Sequence, residues 1–390
     1  MLGRPDEAVI ATITVLVIAC PHALGLAIPL VVSIATERAA RGGVLVKDRL
    51  ALESMRTVGA VLFDKTGTLT KGEPTVTAVT AAGSRTEGEV LTLAAAAESD
   101  SEHPLAKAIV DAARRRGLAV PVSSDFASSP AVGVTARVDG KTVRVGGPRL
   151  LEEAGHTELP EAGAWRDEGA IVLHVLLEQD GAGPTVAGAL ALADEVREES
   201  RQAVDALHKL GIQVVMITGD AQTVAESVAA QLGIDRVFAG VRPEDKAAKV
   251  AQLQHEGLKV AMVGDGVNDA PAIAAAAAEG GVGIAIGAGT DVAIASAGVI
   301  LASSDPRSVL SVIQLSKASY RKMKQNLWWA AGYNLISVPL AAGVLAPMGF
   351  VMPMSVGAIL MSISTVVVAL NAQLLRRLDL RPEASVQAIL

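Results

Sequence analysis

Val58-Gly-Ala-Val-Leu-Phe63 runs directly into Asp64-Lys65-Thr66-Gly67-Thr68-Leu69-Thr70. A short apolar run closing on a carboxylate reads as a buried strand of an α/β sheet, and the carboxyl ends of such strands are where these sheets place their chemistry. Two further stretches repeat the pattern. Ile212-Gln-Val-Val-Met-Ile217 closes on Thr218-Gly219-Asp220, and Lys259-Val-Ala-Met-Val263 closes on Gly264-Asp265-Gly266-Val267-Asn268-Asp269. Between them, Pro243-Glu-Asp-Lys246 opens a helix. Three strands ending on polar clusters predict one site. Asp64 there reads as a nucleophile for a phosphoryl group, because loop N–H groups at a strand end can hold both a cation and a transferring phosphate.

The chain has 390 residues, of which 51% are hydrophobic, and a mean hydropathy of +0.41. That is too apolar for an ordinary cytosolic enzyme, so the apolar residues must be unevenly placed. No charged residue falls between Glu7 and Glu37 or between Lys324 and Arg376. A bilayer core of about 30 Å needs roughly 20 helical residues. The first window therefore predicts one transmembrane helix within residues 1–36, and the second predicts two, at 325–346 and 351–375, broken near Ala346-Pro347-Met348-Gly349. Arg38, Arg41, Lys47, Arg49, Arg321, Lys322, Lys324, Arg376 and Arg377 flank these segments on one side, while the 346–353 loop has no basic residue. The loop is expected outside a plasma (inner) membrane and the Asp64 region in the cytoplasm. One cysteine excludes a disulfide framework, and a net charge of −7 gives no reason to expect nucleic-acid binding.

With these motifs in order, the sequence resembles the heavy-metal-transporting P-type ATPases, a group within the haloacid-dehalogenase-like phosphotransferases, over almost the whole chain. The resemblance implies a doubly wound parallel-sheet phosphorylation domain at 48–72 and 191–316, and an inserted α+β nucleotide-binding domain at 73–190. Transmembrane α-helices complete the expected fold. It implies a catalytic set of Asp64, Lys65, Thr66, Thr218, Gly219, Asp220, Lys246, Asn268 and Asp269. Asp64 would attack the γ-phosphate of ATP, with Mg²⁺ held by Asp64, the Thr66 carbonyl and Asp265, and with Lys246 and Thr218 neutralising charge. In the heavy-metal branch a Ser-Glu-His-Pro stretch and nearby glycines hold the nucleotide. Here these are Ser101, Glu102, His103 and Pro104, with Glu98, Gly133, Gly146 and Gly147. A histidine can stack on or hydrogen-bond a purine, although a helix N-terminus capped by Ser101 also accounts for the stretch. Where the family has Gly-x-Gly, this chain has Ala131-Val132-Gly133 after Pro130, a departure expected to weaken the ATP contact.

The transported ion is read from the membrane segments. Cys20-Pro21-His22 sits mid-span, where proline opens the backbone and an imidazole is costly unless it is used. Tyr333, Asn334, Met361, Ser362, Ser364 and Thr365 are further candidates. For the two serines, and for Asn371 beyond them, an interhelical hydrogen bond is an equal alternative. Thiolate, imidazole and thioether suit Cu⁺, Cu²⁺ or Ag⁺, and Zn²⁺ remains chemically open. The combination resembles the copper- and silver-exporting subgroup.

Soluble phosphatases of the group carry an aspartate two residues after the nucleophile, where this chain has Thr66, so an aspartyl phosphate is expected to persist. No Thr-Gly-Glu, the family's hydrolytic loop, occurs in the sequence. The chain is accordingly expected to be the C-terminal part of a pump, its N-terminal part being a possible separate partner chain. A membrane-anchored phosphatase and a non-transporting remnant are the alternatives, and within pumps Zn or Cd specificity.

Overall fold

The computed structural model describes residues 5–19, 22–129, 132–178, 183–287 and 290–390. Cys20, Pro21, Pro130 and Ala131 lie outside the described residues. In chain order the strands are β1 (Val44–Val46), β2 (Ala60–Asp64), β3 (Thr70–Ala81), β4 (Ser123–Ser129), β5 (Gly133–Val138) and β6 (Lys141–Gly146). They continue with β7 (Ile171–Glu178), β8 (Thr185–Val196), β9 (Gln213–Ile217), β10 (Arg236–Phe238), β11 (Val260–Gly264), β12 (Val282–Ile286) and β13 (Val299–Leu301).

Seven strands form one sheet in the order β1-β13-β12-β11-β2-β9-β10. Only β1 runs antiparallel to its neighbour. Ala60, Val61, Leu62 and Phe63 are all fully buried, as a central parallel strand covered on both faces requires. Register does the rest. Phe63 pairs with Val263 and with Met216, and Asp64 pairs with Ile217. The ends of β2, β9 and β11 therefore lie side by side. Helices cover the sheet through apolar faces. Glu198–Lys209 buries Ala203, Val204 and Leu207, with acids in its first turn and His208 and Lys209 in its last, which complements the helix dipole.

The second sheet is antiparallel, in the order β3-β8-β7-β6-β5-β4. β3 leaves directly from the loop after Asp64, and β8 returns to the first sheet beside it, so two paired strands join the domains. One face is covered by helices Glu87–Glu98 and Pro104–Arg115, whose Leu91, Ala94 and Ile109 pack on Val143, Val145 and Val175. A reciprocal capping box between Thr86 and Glu89 starts the first of these helices.

The apolar N-terminal window folds as helices Pro5–Ile18, His22–Ala27 and Pro29–Arg41. Two helical runs, Ala8–Arg41 and Met354–Arg377, are long and apolar enough to cross a membrane by length and composition. The second window begins inside a longer element. Ser308–Ala341 is one helix of 34 residues, with Pro339 in its last turn. Its first turns are buried in the core of the parallel sheet through Val309, Leu310, Val312, Ile313 and Leu315. Farther along, Ala330 meets Ala23, Ala27 and Val368, the small-residue contact by which apolar helices approach closely. Leu16, Trp328, Leu335, Ile336, Ile359 and Val366 stand exposed around this bundle. Water would penalise such a surface, whereas hydrocarbon would not.

Candidate active site

Asp64 ends β2 and is buried. After it the chain turns back sharply, with Gly67 at φ +76°. A side chain is excluded there twice, by the left-handed backbone and because a Cβ would strike the Asp265 carboxylate. Lys246, buried at the start of helix Lys246–His255, donates to Asp64 Oδ1 at 2.5 Å and to Asp269 Oδ1 at 2.7 Å. Asp269 Oδ2 also accepts the Gly266 N–H at 3.2 Å, which closes the turn after β11. Lys65 forms an ion pair with Asp220, and the Asp220 carboxylate accepts the Thr218 hydroxyl at 3.0 Å. Gly219, Thr66 and Asn268 lie exposed on the same rim.

Carboxylate oxygens of Asp64, Asp265 and Asp269 all lie within 4.8 Å of one another. Burial, then the charge of Asp269, pushes the Asp64 carboxyl well above the usual range against the pull of Lys246, and burial followed by Asp269 raises Asp265 too. Burial lowers the Lys246 ammonium, but Asp64 and Asp269 outweigh it and hold it above its ordinary value. Three acids and one lysine leave local negative charge to be offset. That donor set fits a hard divalent cation such as Mg²⁺.

Two residues outside the expected set brace this loop. Arg197, just past β8, donates to the Thr70 carbonyl at 3.0 Å and to the Gly67 carbonyl at 3.4 Å. Asp194 accepts the Gly72 N–H at 2.9 Å and the Thr70 hydroxyl. Their signal was a pair of charges closing the apolar strand Thr185–Val196, the same pattern that marks β2 and β11.

A cavity of about 360 Å³ opens in the second domain, lined by Glu98, Ser101, His103, Gly133, Gly146 and Gly147. Leu173, Ser128 and Ser129 also line it and carried no sequence signal. Gly133 and Gly146 face each other across β5 and β6. A Cβ on either would collide with the other strand's backbone, so these glycines serve strand approach as well as an open wall. Glu98 is buried, and burial pushes its carboxyl up to about 7, against a hydrogen bond from Ser101. The cap of helix Pro104–Arg115 is His103, not Ser101: its Nδ1 accepts the Leu105 N–H at 3.2 Å, which leaves Nε2 out of the cap. Glu102 and Pro104 are exposed and outside the lining.

In the apolar bundle, His22 begins its short helix and is exposed. The Tyr333 hydroxyl donates to the Gly357 carbonyl at 3.4 Å, while Asn334 and Met361 are half-buried. Helix Met354–Gln373 buries Gly357, Ser364, Val368 and Ala372 on one face. Ser364 Oγ is buried there without a hydrogen-bond partner. Ser362 faces away and donates to the Ala358 carbonyl at 3.0 Å, and Thr365 donates to the Met361 carbonyl at 3.1 Å. Cys20 lies outside the described residues.

The sequence pattern of the haloacid dehalogenase-like hydrolases matches residues 58–277. The copper-exporting P-type ATPase B of Archaeoglobus fulgidus is 47% identical over 369 residues, which is 95% of this chain and 52% of that protein. A crystal structure of a zinc-transporting PIB-type ATPase in its E2.Pi state superimposes with a TM-score of 0.79 at 35% identity, over 92% of this chain and 56% of the other. The catalytic domain of the CPx-ATPase CopB-B, in a structure describing its conformational changes upon nucleotide binding, superimposes with a TM-score of 0.55 at 27% identity, over 72% and 98%. The chain belongs to the haloacid dehalogenase-like hydrolases and, within them, to the P-type ATPases. It spans about half the length of the curated relatives it matches.

Proposed function

We propose that this chain is the catalytic and ion-binding portion of an ATP-driven copper exporter that works through an aspartyl phosphate on Asp64. The observation that carries the reading is Asp64 itself, buried at a strand end, 2.5 Å from Lys246 and inside a cluster of three carboxylates. Asp64 Oδ would form the new bond to the γ-phosphorus of ATP as the bond to the β–γ bridging oxygen breaks and ADP leaves. Lys246 would then lie beside the developing charge, and the Thr218 hydroxyl at the rim. Bound Mg²⁺, held by Asp64, Asp265 and the Thr66 carbonyl, would supply positive charge between nucleophile and phosphate. The cavity beside Glu98 and His103 would take the adenine and ribose, with the walls of Gly133, Gly146 and Gly147 admitting a flat base.

Copper is preferred as cargo on chemical grounds. Cys20, His22 and the Met361 thioether form a soft to borderline donor set, and relatives named as copper exporters are more identical to this chain than the zinc transporter. Silver fits the same donors. The apolar bundle would lie in the plasma membrane with the two sheets in the cytoplasm. The upstream part of the pump, on the same or a separate polypeptide, would complete the cycle.

Acid-quenched labelling with γ-labelled ATP and Mg²⁺ tests the reading. Wild type should take up label and Asp64→Asn should take up none. Equal labelling of the two would refute Asp64 as the acceptor.

A further inference from the structure

A polar chain centred on the buried Asn326, with Lys322 and Asn371 half-buried on either side, crosses the apolar bundle apart from Tyr333, Asn334 and Met361. Lys322 Nζ donates to Asn371 Oδ1 at 2.8 Å, and Asn371 Nδ2 donates to Asn326 Oδ1 at 2.8 Å. Asn326, only 1% exposed, completes the chain by donating from Nδ2 to the Ala27 carbonyl at 3.3 Å. Ala27 is the last residue of helix His22–Ala27, and Pro29 begins the next helix. The carbonyl thus lies where the helical ladder is interrupted, and a side-chain amide supplies its donor.

The three side chains belong to two helices with different attachments. Lys322 and Asn326 stand on Ser308–Ala341, whose first turns are packed in the core beside β2. At 1.5 Å per residue that helix is a rod of about 51 Å, and Asn326 lies roughly two turns before Tyr333 and Asn334. Asn371 stands on Met354–Gln373, on the same helix as Met361 and Ser364. Asn326 therefore adds a hydrogen bond to the apolar contact by which Ala330 of the same rod meets Ala23 and Ala27 of the short helix that begins with His22.

We propose that Asn326, supported by Asn371 and Lys322, is a positioning residue for the transported-ion site, holding the His22–Ala27 helix in register with the long helix. The inference rests on the ion-site reading given above. An apolar residue of the same size would fill the space but leave the Ala27 carbonyl and the Asn371 amide without this partner, so the amide does more than pack. Its effect would reach the ion ligands through the orientation of His22, as groups outside a metal's own shell commonly do.

The test uses the full chain in lipid nanodiscs and measures Cu(I) affinity by competition with a chromogenic Cu(I) chelator, together with X-ray absorption of the copper-loaded protein. Asn326→Leu should weaken Cu(I) binding about tenfold or more and alter the nitrogen contribution to the copper shell. Asn371→Leu, which leaves the Asn326–Ala27 bond unsupported, should shift affinity in the same direction by less. It also decides the matter if Asn326→Leu does not fold. Affinity within twofold of wild type together with an unchanged absorption spectrum in a folded variant would overturn the proposal, as would a wild-type chain that binds no Cu(I). Because the readout needs no ATP, a wild type that takes no label on Asp64 would sink the phosphoenzyme reading and leave this one standing.

Discussion

Gly67 is among the most constrained residues near the site. Its φ of +76° and the closeness of the Asp265 carboxylate mean that a methyl group there must displace either the loop or an acid. Gly67→Ala is expected to lower phosphoenzyme formation about a hundredfold, since a displacement near 1 Å at a reacting centre typically costs that much. Labelling with γ-labelled ATP checks it, with circular dichroism to establish that the fold is kept; wild-type labelling would mean the loop absorbs the methyl group. Asp64 was recognisable from the residues that follow it. Its partners were less so, because Lys246 lies 182 positions away and bonds two carboxylates at once. Lys65 is likewise tied to Asp220 rather than free.

Among the elements, helix Glu87–Glu98 shows how a cavity wall is held at a cost. Glu98 ends the helix inside the second domain, and burial raises its carboxyl to about 7. A carboxyl raised in the folded state costs nothing below about pH 4.5, where both states are protonated. The penalty grows as pH rises toward 7 and then stays level. Glu98→Gln should therefore stabilise this domain by about 3 kcal/mol at pH 8 and by almost nothing at pH 4.5. Thermal unfolding of both proteins at the two pH values measures the gap, and an equal gap at both would mean Glu98 is not perturbed. The apolar strands β2, β9 and β11 were evident from their composition. β4, Ser123–Ser129, was not, because it is a mostly exposed edge strand with little apolar alternation and a residue, Asp125, at φ +54°. β8 extends to Val196, and the helix that follows it starts at Glu198.

At the scale of the whole molecule, one helix continues from the core of the parallel sheet into the apolar bundle, which gives events at Asp64 a stiff connection to the candidate ion ligands. The proposed orientation can be read directly. Met348 is 83% exposed in the loop between the last two apolar helices, and Val122 is 93% exposed in the second domain. In a Cys20→Ser background, Met348→Cys should react with a membrane-impermeant maleimide on intact cells, while Val122→Cys should react only after permeabilisation. Reversal of the two would invert the orientation, and labelling of both in intact cells would contradict a membrane-spanning arrangement.

Local information was enough for the fold class and for the acidic strand ends. A run of five or six apolar residues closing on Asp, Gly and Thr encodes both a buried strand and the chemistry at its tip within one short segment. Long charge-free windows, with Lys and Arg gathered on one side of them, encode an apolar bundle in the same contiguous way. Tertiary structure alone decided the rest. It made Lys246 bridge Asp64 and Asp269, brought Asp194 and Arg197 onto the Gly67 turn, turned Ser364 inward and Ser362 outward, and drew Lys322, Asn371 and Asn326 into one chain ending at Ala27. Most of these contacts join residues far apart in sequence. Their geometry follows from strand register and helix packing, which no local pattern of residue types contains.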